Sequence, residues 1–314
     1  MRYAIVSDVH GNINALQSVL NHTTTQNIDG YIFVGDYFGD FPYPNEVVDT
    51  IKNIHNNHVI SGNKEGYLID LHNTSQDDWV HNQFNAIYWS YNELRKDNLD
   101  YLMQLPTRKE INCNNGKKAL LLHSITDLFK ETSLDILSSS KYAQLIDEKH
   151  LTHNEFLEYI KDLLLNDEKF LKELDAIDSE IIIFGHTHLQ WYVNINGKTL
   201  INAGSCGLPL DLTTTAPYTI LDIELDEVSV YEHRVEYNIN TLVSEIKKSA
   251  LYKNAEDWCN IIIPQLTLAR DQISFFFQHV WKIAKKNNNT KWPIDNNIWS
   301  KAIKSWQPIK TTKK

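Results

Sequence analysis

The order of apolar runs along this 314-residue chain predicts an α/β fold in which two sheets pack together with helices outside. Three observations predict it. Up to residue 188, short apolar runs alternate with segments whose apolar residues recur at helical spacing. From 190 to 235 the apolar runs follow one another without helices between them, as hairpin strands do. Five of the runs end in a side chain able to bind a metal, at the strand edge where open α/β sheets place their sites.

Each element has its own warrant. Residues 2–6 run as a strand into Asp8-Val-His10-Gly11. Ile13, Leu16, Val19 and Leu20 have helical spacing, with Asn12 or Asn14 as the cap. Asp29-Gly30 turns the chain into a strand over 31–34 that ends in Gly35-Asp36, and Pro44 opens a helix carrying Val47, Val48, Ile51 and Ile54. Val59 and Ile60 form a short strand before Gly62-Asn63. A long helix is expected over about 76–104, rich in Trp and Tyr and stopped by Pro106. An Asn114-Asn115-Gly116 turn leads into a strand over 117–123 that ends in His123. A helical insertion over about 126–178 carries a capping box, Thr152-x-x-Glu155, and is expected beside or over the site. The 181–184 strand ends in Gly185-His186-Thr187-His188, two histidines that would point the same way on a strand. A hairpin over 190–201 turns at Asn196-Gly197, and strands near 217–224 and 228–235 complete the run.

With 42% hydrophobic and 22% charged residues, the chain has the composition of a globular protein long enough to bury a sizeable core. Its length allows two average domains or one large α/β domain with additions. Three widely spaced cysteines argue against a disulfide framework and for a reducing compartment, the cytoplasm. With the first strand beginning at residue 2, no signal peptide is expected, and no apolar run approaches the ~20 residues of a membrane span. The net charge of −10 is uneven: residues 241–314 carry +8 and residues 1–240 carry −18. The basic segment holds five of the eight tryptophans, Trp258, Trp281, Trp292, Trp299 and Trp306, and reads as a helical C-terminal extension with a polar break at 287–289 and a frayed end from about Gln307. Its aromatics would either stack nucleic-acid bases or pack small helices onto the body, and packing is the ordinary fate of Trp.

Taken singly, the terminal residues of the five runs say little. His123 alone reads as a buried core histidine and Asn63 alone as a turn residue. Taken together, Asp8-x-His10, Gly35-Asp36, Gly62-Asn63, His123 and Gly185-His186-x-His188 resemble, in order and type, the motifs of the calcineurin-like metallophosphoesterase superfamily. Asn202-Ala-Gly-Ser205 makes the match closer to a bacterial branch in which Gly-His-Thr-His is followed by such a segment. The resemblance covers roughly 1–240. It implies a four-layer α-β-β-α sandwich of two mixed sheets, here with the insertion and the extension added. It also implies two divalent metal ions, Mn2+ first, with Fe, Zn or Ni as alternatives. One is held by Asp8, His10, Asp36 and His188, the other by Asp36, Asn63, His123 and His186, with Asp36 as the bridge. Two such cations ~3.5–4 Å apart share a hydroxide and clamp an in-line displacement at phosphorus. The substrate so implied is a small phosphodiester or a nucleotide, dinucleoside polyphosphates among them.

The pattern departs from the family at two places. Lys64 follows Asn63 where many members carry a histidine that serves the leaving group or the phosphate, and a lysine donates a proton only if its pKa is lowered. Ser124 follows His123 where glycine is usual. Cys206 reads as a small buried residue rather than a nucleophile, and Arg234 as half of a surface ion pair. A different class of protein fits the same fold: a binding or scaffold module with weak catalysis, suggested by Lys64 and opposed by the intact ligand set. A third reading, nucleic-acid processing through the basic segment, is weakened by the acidic body. The pattern carries no signal for oligomeric state.

Overall fold

Side chains alternate across β1 (Arg2–Val6): Tyr3 and Ile5 enter one apolar layer, Ala4 and Val6 another. That alternation generates the whole architecture. The computed structural model describes residues 1–310 except 114, 115, 127, 133, 135, 137–140, 225 and 226. Among the described residues, ten strands form two five-stranded mixed sheets. In the first, β1 runs parallel to β2 (Gly30–Val34), which runs parallel to β3 (Asn57–Ile60). On the other side β1 pairs antiparallel with β9 (Ala216–Ile223), and β9 with β10 (Val228–Val235). In the second, β4 (Arg108–Asn112) pairs antiparallel with β5 (Lys118–Leu122). Strand β6 (Ile181–Phe184) runs parallel to both β5 and β8 (Lys198–Ala203), and β7 (Gln190–Ile195) closes the edge antiparallel to β8.

Tyr3, Ile5, Ile32, Val34, Leu121, Ile183 and Ile201 fill the space between the sheets. On the outer face of the first sheet Ala4, Val6 and Phe33 meet α1 (Ile13–Thr23) and α2 (Pro44–Asn53). On the outer face of the second, Leu120, Ile182, Phe184 and Trp191 meet α7 (His153–Leu165) and α8 (Glu168–Asp175); α6 (Lys141–Lys149) precedes them in the insertion. The result is the four-layer α-β-β-α sandwich. The local signals act as their chemistry requires. Asn12 Oδ1 accepts from Ala15 N at 3.0 Å, Pro44 opens α2, and Thr152 and Glu155 cap α7 reciprocally. Asn196 and Gly197 both take positive φ, as the two-residue hairpin turn demands.

One expectation is corrected, and two further elements are present. The long helix over 76–104 is instead two 3₁₀ turns followed by α4 (Asn85–Glu93) and α5 (Lys96–Met103). Leu94 between the helices is extended, and Arg95 N donates to Asn45 Oδ1, so a tertiary contact fixes a break that the aromatic run conceals. Ahead of it lies an unforeseen helix, α3 (Asn63–His72); only Glu65 and Leu68 of it are buried, so it lacks a continuous apolar stripe. Strand β4 also went unread, because on this polar edge strand only Ile111 is buried. The turn expected at Asn114 and Asn115 lies outside the described residues.

The basic segment forms α9 (Ile239–Lys248), α10 (Ala250–Asn254), α11 (Glu256–Leu268), α12 (Ile273–Lys286) and α13 (Asn296–Ser305). Leu242, Leu251, Ile262 and Leu266 pack with Phe41, Trp89 and Leu208 of the body. Phe276, Val280, Trp299 and Ala302 form a smaller core between α11, α12 and α13. Trp299 is buried, while Trp292 stands 58% exposed. No helix among the described residues is long and apolar enough to cross a membrane.

Candidate metal centre

Strands β1, β2, β5 and β6 all stop short of the residues that matter. Asp8 and His10 lie in the loop after β1, Asp36 after β2, His123 after β5, and His186 and His188 after β6; Asn63 opens α3 just beyond β3. The pair 186 and 188 is therefore not on a strand. Both residues have left-handed backbone (φ 70° and 60°), as do Asp8, His10 and Asp36 (φ 53°, 57° and 58°). Five residues with side chains in that sparsely populated region, gathered where strand ends of the two sheets meet, mark a place where the surroundings impose conformation for function.

The loops are held by specific bonds. His123 Nδ1 donates to Val34 O at 2.7 Å and His188 Nδ1 to Leu208 O at 2.8 Å. His10 Nδ1 lies 2.8 Å from Asp40 Oδ2. Each imidazole thus turns one nitrogen to an oxygen outside and presents Nε2 to the centre, which is how a ligating histidine is oriented. Asn202 Nδ2 donates to Gly185 O and Thr187 Oγ1, and Ser205 Oγ donates to Asp8 O at 2.7 Å. The Asn202–Ser205 segment therefore fastens the histidine loop and the Asp8 loop together. A Cβ at Gly185 would collide with Ser7 Oγ and Asp8 Oδ2, and one at Gly62 with Asp36 Oδ1, so glycine is required where these loops touch.

Inside, atoms able to ligate a metal crowd together. His10 Nε2 lies 3.1 Å from His188 Nε2. Asp8 Oδ1 is 3.3 Å from His188 Nε2, 3.7 Å from His10 Nε2 and 4.0 Å from His123 Nε2. Asp36 Oδ1 is 3.5 Å from His123 Nε2, and Asp36 Oδ2 is 4.0 Å from His10 Nε2. Asn63 Oδ1 is 3.0 Å from His123 Nε2 and 2.9 Å from His186 Nδ1. Asp8 Oδ1 is buried with no hydrogen-bond partner among the described residues. Donors ~2.0–2.2 Å from one ion stand about 3–3.5 Å apart, so these separations fit shared cations. Asp8 with His10 and His188, and Asp8 with Asp36 and His123, form two clusters compact enough to hold an ion. The set is imidazole, carboxylate and amide with no thiolate, which suits divalent transition ions.

Burial opposes every charge here; neighbours prevail over it at Asp8, His10 and Lys64 but not at His186. It would raise the Asp8 carboxyl, but His123, His10 and His188 hold it well below the usual carboxylate range. It opposes the His10 imidazolium, but Asp40, then Asp8 and Asp36, push the pKa up to about 9. Burial, then His123, lowers His186. Lys64 sits with its ammonium 3.2 Å from Asp40 Oδ2; burial works against the charge, but Asp40 and Asp36 keep its pKa above the ordinary lysine value. Its backbone N donates to Asp36 Oδ1 at 2.8 Å. Cys206 is buried and its thiol is pushed well up by burial, then by Asp8. Arg234 is bidentate to Asp211 and donates Nε to Gln190, so its charge is already taken.

Sequence reasoning missed Asp40, Glu65 and Trp258. Asp40 touches His10, Lys64 and the indole of Trp258, whose Nε1 donates to Asp40 Oδ1 at 2.7 Å. Glu65 accepts from the backbone N of Gly62, Asp36 and Tyr37, tying the Asp36 loop to the start of α3. The available signals were a second Gly-Asp four residues after the first, and an acid at the third position of an unread helix.

Comparison with known proteins agrees with this geometry. Residues 1–226 match the model of the calcineurin-like phosphoesterase superfamily domain. The chain is 26% identical over 265 residues to the uncharacterized protein MJ0912 of Methanocaldococcus jannaschii, covering 79% of this chain and 93% of that one. It is 39% identical over 80 residues to the probable metallophosphoesterase YsnB of Bacillus subtilis, covering 26% of this chain and 44% of that one. The fold is similar to that of a metallophosphoesterase from Sphaerobacter thermophilus, with a TM-score of 0.57 at 24% identity, covering 85% of this chain and 98% of that one.

Proposed function

The chain belongs to the calcineurin-like phosphoesterase superfamily, and from that premise we propose that it hydrolyses a small phosphodiester or a nucleotide phosphoanhydride with two divalent ions. The observation that carries this is the convergence of ligand-type atoms on one point: Asp8 Oδ1, buried with no hydrogen-bond partner among the described residues, the Nε2 atoms of His10, His123 and His188, and Asn63 Oδ1. Asp8, His10, Asp36 and His188 would hold one ion; Asp36, Asn63, His123 and His186 the other. Bound there, such ions supply positive charge to a phosphoryl oxygen in the transition state and acidify a water for attack at phosphorus.

The chain's own residues do the rest. Asp36 would serve both ions, its Oδ1 being 3.5 Å from His123 Nε2 and its Oδ2 4.0 Å from His10 Nε2, while Asp8 is the carboxylate common to the two compact clusters. Asp40 holds the His10 ring in place, as the Val34 and Leu208 carbonyls hold His123 and His188. Lys64, its ammonium 3.2 Å from Asp40 Oδ2, would present a positive charge toward the anionic ester. A leaving group that departs without a proton, such as an aryl alcohol or a nucleotide phosphate, suits a site so equipped. The three cysteines are free and buried, which supports a reducing compartment such as the cytoplasm.

The test is hydrolysis of bis-p-nitrophenyl phosphate, p-nitrophenyl phosphate and diadenosine tetraphosphate by metal-stripped protein before and after addition of Mn2+, Zn2+, Ni2+ or Fe2+. Turnover should require metal, be highest with Mn2+, and fall more than about 100-fold in Asp36→Asn, beyond the 10–100-fold that outer partners of a metal site cost. Protein that binds no divalent ion, or that turns over equally without one, would refute the reading.

A further inference from the structure

Beside the metal centre, on the far side of Lys64, lies a cavity of about 220 Å³. Its lining joins the body to the C-terminal helices: Lys64, Gln83 and Phe84 from one, Trp258, Phe277 and Trp292 from the other. It is smaller than the ~300–1,000 Å³ of pockets that enclose a whole small ligand, and suits a single ring system. Aromatic faces and edges surround that space. The Phe84 and Trp292 centroids are 5.9 Å apart with planes nearly perpendicular, and Phe277 and Trp292 are 6.2 Å apart. Lys64 Nζ stands 5.9 Å from the Trp258 ring.

Two details distinguish this cavity from a packing defect. Trp292 is 58% exposed at its rim, so a large flat face is presented to solvent. Gln83 is 6% exposed; its Oε1 accepts from Ile294 N at 2.9 Å, but its Nε2 has no partner among the described residues. A buried amide N–H without an acceptor is costly, and because Gln83 lines the cavity a small turn of its side chain would offer that N–H to a ligand seated there. A plain phenyl ring offers none, whereas every nucleobase carries ring-nitrogen or carbonyl acceptors at its edge. The cavity also borders the candidate centre, because the residue on its wall, Lys64, donates its backbone N to Asp36 and pairs its ammonium with Asp40.

We propose that this cavity is a base-binding subsite, taking the nucleobase of a nucleotide or nucleotidyl ester by stacking against Trp292 and a hydrogen bond from Gln83 Nε2, with the attached phosphate directed past Lys64 to the metal centre. The fate of the phosphate rests on the phosphoesterase reading above; recognition of the base rests on the cavity alone.

The first measurement is calorimetric titration of the full chain, stripped of metal so that nothing turns over, with adenosine 5′-monophosphate, thymidine 5′-monophosphate and ribose 5-phosphate. At least one nucleotide should bind about tenfold or more tightly than ribose 5-phosphate, and Trp292→Ala should remove the difference. Gln83→Glu keeps the acceptor for Ile294 N and deletes the N–H donor, and should weaken nucleotide binding without weakening ribose 5-phosphate. Equal affinity for all three ligands overturns the proposal. The second is turnover of thymidine 5′-(p-nitrophenyl phosphate) against methyl p-nitrophenyl phosphate in metal-loaded protein. The same variants should raise KM for the thymidine ester and leave the methyl ester unchanged; a proportional rise in both overturns the cavity's role toward substrate. Base-dependent binding without turnover of either ester would support the subsite while faulting the phosphoesterase reading.

Discussion

The helical insertion and the C-terminal helices are both additions to the same pair of sheets, yet they are fastened to it differently. The insertion buries Phe156, Ile160, Leu164, Phe170 and Leu174 on the outer face of the second sheet. Its polar ties include His153 to Glu232 on β10, Asp147 to Arg270 with Gln144 to Asp271 after α11, and Asp175 and the Ile177 carbonyl to Asn196 and Lys198 of the β7–β8 hairpin. None of these reaches a candidate ligand among the described residues. The C-terminal helices also pack by apolar contact, but Trp258 Nε1 donates to Asp40, which contacts both His10 and Lys64. One addition braces the sandwich from outside. The other enters the construction of the site, although its charge and composition gave no hint of it. Proximity in the chain to the motifs is thus no guide to which addition serves the chemistry.

Four substitutions would break or sharpen this contrast. The largest effect should come from Asp147→Ala. Asp147 and Arg270 are both buried, and Arg270 Nε and Nη1 have no partner among the described residues. Removing the carboxylate strands a buried guanidinium, which costs about 3–5 kcal/mol. Urea unfolding should show that loss, while kcat/KM of the folded enzyme should stay within about twofold of the parent. A comparable loss of kcat/KM would mean that the insertion is coupled to the site after all.

Asp40→Asn should do the reverse. The amide keeps the shape of the side chain but gives up the charge that Lys64 and His10 share. Partners of metal-binding histidines typically contribute 10–100-fold, so kcat/KM and Mn2+ affinity should both fall by about that factor. An unchanged Mn2+ affinity would separate Asp40 from the metal and leave it only as the anchor of Lys64. Next in size is Trp258→Phe, which retains the ring and removes the N–H. Losing one hydrogen bond to a charged acceptor costs about 1.5–3 kcal/mol. If the indole steadies Asp40, activity should fall by less than in Asp40→Asn, and the double variant should be no worse than Asp40→Asn alone. Additive losses would show the two acting independently.

How much of this was legible follows from what each part is made of. The seven candidate ligands could be read because their side-chain types are dictated by chemistry and their order by the strand ends they follow. The left-handed backbone at Asp8, His10, Asp36, His186 and His188 could not be read, since Asp and His, though enriched in that conformation, adopt it at only a small fraction of their positions. The hairpin at Asn196-Gly197 and the capping box at Thr152 were legible because those residues act on their immediate neighbours. Helix α3 was not, because it lacks the apolar stripe by which a surface helix is recognised. Asp40 and Trp258 were hidden for a different reason. They are 218 residues apart, and nothing local to either distinguishes a buried hydrogen-bonded pair from a solvated acid and a packed indole.

The smallest effect lies at the outer edge of the insertion and depends on pH. His153 opens α7 with Nε2 2.7 Å from Glu232 Oε2, and the bond to Glu232, first of the causes, raises its pKa although partial burial works the other way. A histidine whose folded pKa exceeds its unfolded value, about 6.5, stabilises the fold fully below that value. The contribution then disappears as pH rises through the folded pKa. With the His153 side chain 44% exposed, water and salt screen the pair, and its worth is that of a surface ion pair, about 0.2–1 kcal/mol. His153→Gln should therefore lower the urea midpoint slightly at pH 5.5, and the gap to the parent should close as the pH rises above neutrality. A gap that widens with pH would assign the stabilisation to the neutral imidazole, and the insertion would then be held at this edge by packing rather than by charge.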